Sequence, residues 1–306
     1  MLHCGKRCDP GAMTLFLQVA QIVAPVFLLA AIGFAWVRAL GWNYDVEFVS
    51  RLSMTLSVPC LIFMALTRSD VDPALLRDTV LAALAAYLAV GGLVWAALRA
   101  LDLDLQTFWA PLTFGNTGNL GLPVALFAFG QLGFDMAVVI FAVMAILSFT
   151  FGVWVVAGGG NPVTAIREPL VWGAVLGSVF LAMGWNVPPV VGASLDLVGQ
   201  MAIPLMLITL GVAISRLQPR ALGRAIWLCV TKLVLCTTVP FAIGLAFGLP
   251  RLALGVLVLQ VSTPVAVTSY MLAARYRARP DEVAGLVVVS TLMSVIAIPA
   301  TLALFL

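Results

Sequence analysis

An all-α protein that crosses a bilayer ten times is the fold class this sequence predicts, and three observations predict it. Of its 306 residues, 63% are hydrophobic and only 9% charged, with a mean hydropathy of +1.13; soluble domains run near half apolar and a quarter charged. Ten separate apolar stretches each approach the roughly 20 residues that span a hydrocarbon core. The basic residues fall unevenly on the loops between those stretches, as membrane topology requires.

The elements follow in chain order. Residues 1–13, opening MLHCGKRCDPGA, are polar, contain Pro and Gly, and read as a disordered tail. The apolar run from Thr14 to Trp36 is too long for a signal-peptide core and has no clear small-residue cleavage site, so 14–36 reads as the first span. The other nine are expected over 48–67, 79–99, 107–129, 134–156, 170–186, 191–214, 224–247, 251–274 and 283–305. The connections RSDVDP, LDLD, AGGGNPVTAIREP, RLQPR, GLPR and RYRARPDE are short and punctuated by Pro, Gly and charge. None is long enough for a soluble domain. The chain therefore divides into a first five-span unit, 14–156, a linker, 157–169, and a second five-span unit, 170–306.

Ten spans return both termini to one side. The tail and loops on that side carry five positive residues and the opposite loops carry ten, with Lys232 inside a span completing the sixteen. The positive-inside rule places the ten-positive face and the linker in the cytoplasm, and both termini outside.

Composition and motifs exclude several function classes. A net charge of +3 with no basic run gives no footing for nucleic acid. The only histidine is His3, on the tail, and the sequence has no H-E-x-x-H, no G-x-S-x-G and no paired intramembrane aspartates. An enzyme is therefore not expected. A P-loop is absent too, so transport would draw on solute or ion gradients. Cys60, Cys229 and Cys236 lie in apolar stretches, where free cysteine behaves as a small hydrophobe. Cys4 and Cys8 with His3 give three ligands on a tail, short of a closed metal site, and no cofactor is expected.

Five spans per half reverse the orientation of the second half, which is the arithmetic of an inverted repeat. Proline positions support the division: Pro59 in the second span pairs with Pro204 in the seventh, and Pro123 in the fourth with Pro264 in the ninth. In the fourth span, GNTGNLGLP places Asn116, Gly118, Asn119 and Gly121 ahead of Pro123. In the ninth, LQVSTP places Gln260, Ser262 and Thr263 ahead of Pro264. Glycine lets the backbone leave helical geometry, polar side chains satisfy the groups so freed, and proline suits the first turn of a resumed helix. Interrupted helices at matching positions of two halves point to a binding site near the midplane. Two half-helix N-termini would meet there, each offering unpaired amides and partial positive charge to an anion. The plainer reading is close helix packing through Gly118 and Gly121, with the asparagines bonding across it.

At these residues the sequence resembles the auxin efflux carrier family, whose members include plant PIN proteins and bacterial organic-anion carriers. GNTGNLGLPVALFAFG (115–130) is similar to the family's fourth-helix signature and TPVAVTSYMLAARY (263–276) to its ninth-helix pattern. LSVPCLIF (56–63) and PLMLITLGVAI (204–214) resemble the second and seventh helices. The resemblance covers nearly the whole chain. It implies two inverted five-helix repeats with broken helices 4 and 9 crossing at their centres. It also implies a scaffold of helices 1, 2, 6 and 7, with a mobile part built from 3–5 and 8–10. The short linker fits the bacterial type, and Pro123 lacks the flanking asparagines of plant members, which argues against auxin as the solute.

Two ionisable residues inside spans stand out. Lys232, about 12 Å into the eighth span at 1.5 Å per residue, either neutralises a substrate carboxylate, couples protons, or snorkels to the surface. Asp196, near the outer end of the seventh span, either caps at the surface or binds a coupling ion. The function expected is secondary transport of small organic anions, mono- or dicarboxylates, by alternating access across a bacterial inner membrane. Expected partners are that anion, H⁺ or Na⁺, and the lipid bilayer, with a homodimer also open. A carrier of another solute, or a receptor with a carrier-like fold, is the alternative.

Overall fold

Lipid offers no partner to a backbone amide or carbonyl, so a chain this apolar must pair them within its own segments. The computed structural model does so with helices; it describes residues 10–68, 71–159, 169–217 and 222–305. Cys4, Cys8, His3 and most of the linker lie outside these residues.

The helices are α1 (Pro10–Arg38), α2 (Val46–Leu52), α3 (Val58–Thr67), α4 (Pro73–Ala100), α5 (Leu105–Thr113), α6 (Leu122–Leu147), α7 (Val153–Val156), α8 (Pro169–Met183), α9 (Pro189–Gln200), α10 (Ala202–Arg216), α11 (Leu222–Ala246), α12 (Arg251–Val261), α13 (Val267–Tyr276) and α14 (Pro280–Ala303). Three π-helical turns, Ser53–Ser57, Thr117–Gly121 and Ser148–Gly152, join neighbours within this series. Among the described residues there is no strand, only one antiparallel bridge between Gly115 and Val265. Polar loops start several helices: Asp45, Asp72 and Asp104 cap α2, α4 and α5 by accepting from the amides of Phe48, Ala74 and Thr107.

Among the described residues, six continuous stretches are long and apolar enough to cross a membrane: Val46–Thr67, Pro73–Ala100, Thr117–Val156, Pro189–Arg216, Leu222–Ala246 and Pro280–Ala303. Ala24–Arg38, Trp172–Leu181 and Arg251–Val261 are shorter apolar helices. Thr117–Val156 has 40 residues, about 60 Å of helix and roughly twice a hydrocarbon core. Gly130, at φ 67° and ψ −163°, interrupts it with a conformation that only glycine adopts cheaply.

Two sets of helices pack most extensively. In one, α1 lies on α10, and α3 lies on α8 and α9. Glycines let these backbones touch. A side chain at Gly33 or Gly211 would strike the carbonyl of Ile208 or Ala30, and one at Gly173 the carbonyl of Pro59. In the other, α4, α5, α6, α11, α12 and α14 pack together. Pro59 follows the π-turn at Ser53–Ser57, and Pro204 follows the interruption between α9 and α10. At each the helix has already loosened before the residue that cannot donate.

Candidate functional site

The fourth apolar stretch leaves helical geometry at Phe114, earlier than Pro123. α5 ends at Thr113, Phe114 is extended, and Gly115 pairs with Val265. Asn116 then restarts the coil, its carbonyl accepting from the amides of Leu120 (3.0 Å) and Gly121 (3.2 Å). Gly118 to Gly121 are thus already wound into the π-turn, and buried Pro123 sits in the helix that continues from it. The ninth stretch breaks between Ser262 and Ala266, after which α13 begins at Val267. Pro264 lies inside this break and not in the first turn of the resumed helix.

The two breaks are joined by main chain. The Asn116 amide donates to the Pro264 carbonyl at 2.7 Å. The approach is close because Gly115 has no side chain: a Cβ there would strike the Thr263 hydroxyl and lie 2.8 Å from the Thr263 carbonyl oxygen. Gly121 likewise makes room for the Gln260 amide. The second break holds itself in shape, with Thr263 Oγ1 donating to the Gln260 carbonyl (2.8 Å), Ser262 Oγ to that of Leu259 (3.2 Å), and the Val265 amide donating to Ser290 Oγ (3.0 Å).

One cavity opens on this crossing beside the π-turns Ser53–Ser57 and Ser148–Gly152. Asn116, Gly118 and Asn119 line it from the first break, and Ala266, Thr268 and Ser269 from the second. Both resumed helices begin at its wall. The amides of a helix's first turn have no acceptor within the helix. The Asn116 side-chain amide nitrogen, on a residue 4% exposed, has no partner among the described residues. Among the described residues, none that lines the cavity is acidic. An adjoining cavity reaches Asn119 and Thr268 past Ser50, Ser53 and Thr209.

The remaining candidates fall elsewhere. Ser262, Thr263, Pro264 and Lys232 line a second cavity with Ser290 and Ser294, across the Asn116–Pro264 bond. Lys232 is buried, 3% exposed, and does not reach the surface. Its Nζ donates to the Leu112 carbonyl at 3.2 Å, which sets a cation on the carbonyl end of α5, where the helix dipole is negative. Gln260 is fully buried at the crossing, with neither amide atom partnered among the described residues. Asp196 pairs with Arg68 at 2.6 Å on a partly exposed face. Sequence reasoning missed Ser148, Thr268 and Ser269 in the first cavity, and Ser290 behind the second break. Hydroxyls are too ordinary in membrane helices to single these out, although Thr268 and Ser269 lie within TPVAVTSYMLAARY, the stretch that carries the ninth-helix resemblance.

Comparison with known proteins adds a likeness to membrane transporters. The model of a membrane transport protein family matches residues 159–302. An uncharacterized transporter of Methanothermobacter thermautotrophicus is 25% identical over 301 residues, covering 93% of this chain and 98% of that protein. A proposed malonate transporter of Rhizobium meliloti is 22% identical over 305 residues, covering 91% and 93%.

Proposed function

We propose that this chain, similar to a family of membrane transport proteins over residues 159–302 and to a transporter along most of its length, is a secondary carrier of small organic anions, mono- or dicarboxylates, bound where the two broken helices cross. Family and relatives are transporters, not enzymes. One observation carries the choice of an anion: two resumed helices present their amide ends to a single cavity, together with Asn116 and Asn119, and no acidic side chain among the described residues lines it. Lys232, buried behind the crossing, adds positive field without touching the cavity's lining. The name carried by the Rhizobium meliloti relative makes malonate the first solute to test.

The carrier is read as ten helices in two inverted five-helix repeats, working by alternating access. The exchange of packing partners supports this: α1 on α10 joins the first helix of one half to the second of the other, and α8 on α3 does the reverse. On this reading α1, α3, α8 and α10 hold still while the crossing moves, with the more positive loops in the cytoplasm and both termini outside.

The test is uptake of radiolabelled malonate and other carboxylates by the purified protein in liposomes. Asn116→Ala removes a donor to a charged group and is expected to lower uptake about 30-fold or more, with the unfolding temperature within about 4 °C of the parent. Undiminished uptake in this variant would remove the crossing from the binding site. Uptake of organic cations in preference to carboxylates would overturn the choice of solute.

A further inference from the structure

A separate groove opens on the outer face of α4, between α5 and the π-turn Ser148–Gly152. Its mouth is formed by Leu88, Trp95 and Phe151, respectively 56%, 36% and 52% exposed. On a helix of spanning length those faces meet acyl chains. Its floor is Tyr87 and Thr113, 2% and 1% exposed, whose hydroxyl oxygens have no partner among the described residues. Gly92 leaves its centre open: a Cβ built there meets no atom within 4 Å. The wall at Trp109 is fixed, its indole N–H donating to the Gly91 carbonyl at 2.8 Å.

We propose that this groove binds a single-chain fatty acid from the bilayer, carboxylic acid innermost and hydrocarbon tail running outward past Trp95. The acid's carbonyl accepts from the Tyr87 hydroxyl and its O–H donates to Thr113 Oγ1. This satisfies two buried hydroxyls that otherwise go without bonds. The head enters protonated, because an ionised carboxylate carries a far larger desolvation penalty. From Tyr87 to Trp95 the groove follows eight residues of α4, about 12 Å, and its mouth is apolar, as a tail requires. A phospholipid suits it less well, since its chain end offers nothing to the two hydroxyls and its headgroup has no polar path inward. Phe114 lines both this groove and the crossing cavity, so an occupant presses on the residue where the first helix breaks. Binding is read independently of transport, so its failure and that of the carrier assignment are distinct.

The experiment photo-crosslinks a diazirine-bearing sixteen-carbon fatty acid to the full chain in nanodiscs and maps the labelled peptides. Labelling is expected in 87–95 and 109–114, and competed by palmitic acid. Gly92→Phe, which fills the groove, should cut it roughly tenfold or more, and Tyr87→Phe, a near-isosteric change that loses one hydrogen bond, about fivefold. Label spread evenly over lipid-facing helices would overturn the proposal. So would undiminished label in a folded Gly92→Phe, or loss in Arg99→Gln without loss in Tyr87→Phe. That last result would place the carboxylate at the mouth, where Arg99 lies over the Trp95 ring at 5.8 Å.

Discussion

The two broken helices differ in where their polar groups go. The second break turns inward: Thr263 and Ser262 bond carbonyls of their own helix, and Ser290 fills the remaining amide. The first leaves side-chain groups available, with Asn116 and Asn119 facing a cavity and the Asn116 side-chain nitrogen, Nδ2, unpartnered among the described residues. Behind them the contrast continues. The space flanking the second break holds a buried lysine and serines, and that flanking the first is an apolar groove with Tyr87 at its floor. Under the proposed function these similar interruptions would do unlike work, one as a support and the other supplying side chains for recognition.

The sharpest way to break this picture is Gly115→Val, which drives a branched side chain into Thr263. Loss of more than about 4 kcal/mol is expected, seen as disappearance of the monodisperse peak in size-exclusion chromatography; a well-folded variant would mean that the close crossing does not hold. Next comes the asymmetry in transport. Asn119→Ala should lower malonate uptake about tenfold or more, and Ser262→Ala less than about twofold, because the serine already spends its donor on Leu259. Equal losses would erase the distinction between recognition and support. Ser290→Ala tests the support itself, since it strands the buried Val265 amide. A loss of about 1–2 kcal/mol in denaturant unfolding is expected, whereas an unchanged midpoint would show the break held by other contacts. The smallest effect belongs to Asp196→Asn. Its ion pair with Arg68 is solvated, the two side chains being 26% and 59% exposed, so less than about 1 kcal/mol is at stake and uptake should persist. Abolished uptake in this variant would restore Asp196 as an ion-coupling residue.

The breaks were legible because asparagine, glycine and proline are conspicuous against valine and leucine. Their exact extent was not, since a π-turn leaves no pattern that separates it from an unwound segment. Proline marked the breaks only loosely: Pro123 falls in the first turn of α6, nine residues after the chain departs at Phe114, and Pro264 lies inside its break, two residues after Ser262. Lys232 was visible as a charge in an apolar run, yet whether it pointed outward or in depended on the carbonyl of Leu112, 120 residues away. Asp135, next to a turn in sequence, lies buried. Gly130 breaks the helix among exposed residues, and Asp135, a little over one turn further on, accepts from Gln131 Nε2 at 2.8 Å. Distant pairings such as that of Lys232 with Leu112 carry no local signature.

The bond from Asn116 to Pro264 is main chain to main chain, seated where Gly115 permits no spacer. A clasp made of backbone has no side chain of its own to trim, and is opened only by wedging something into it. On the carrier reading proposed above, the pair is expected to travel as a single yoke, with a solute held against it carried along.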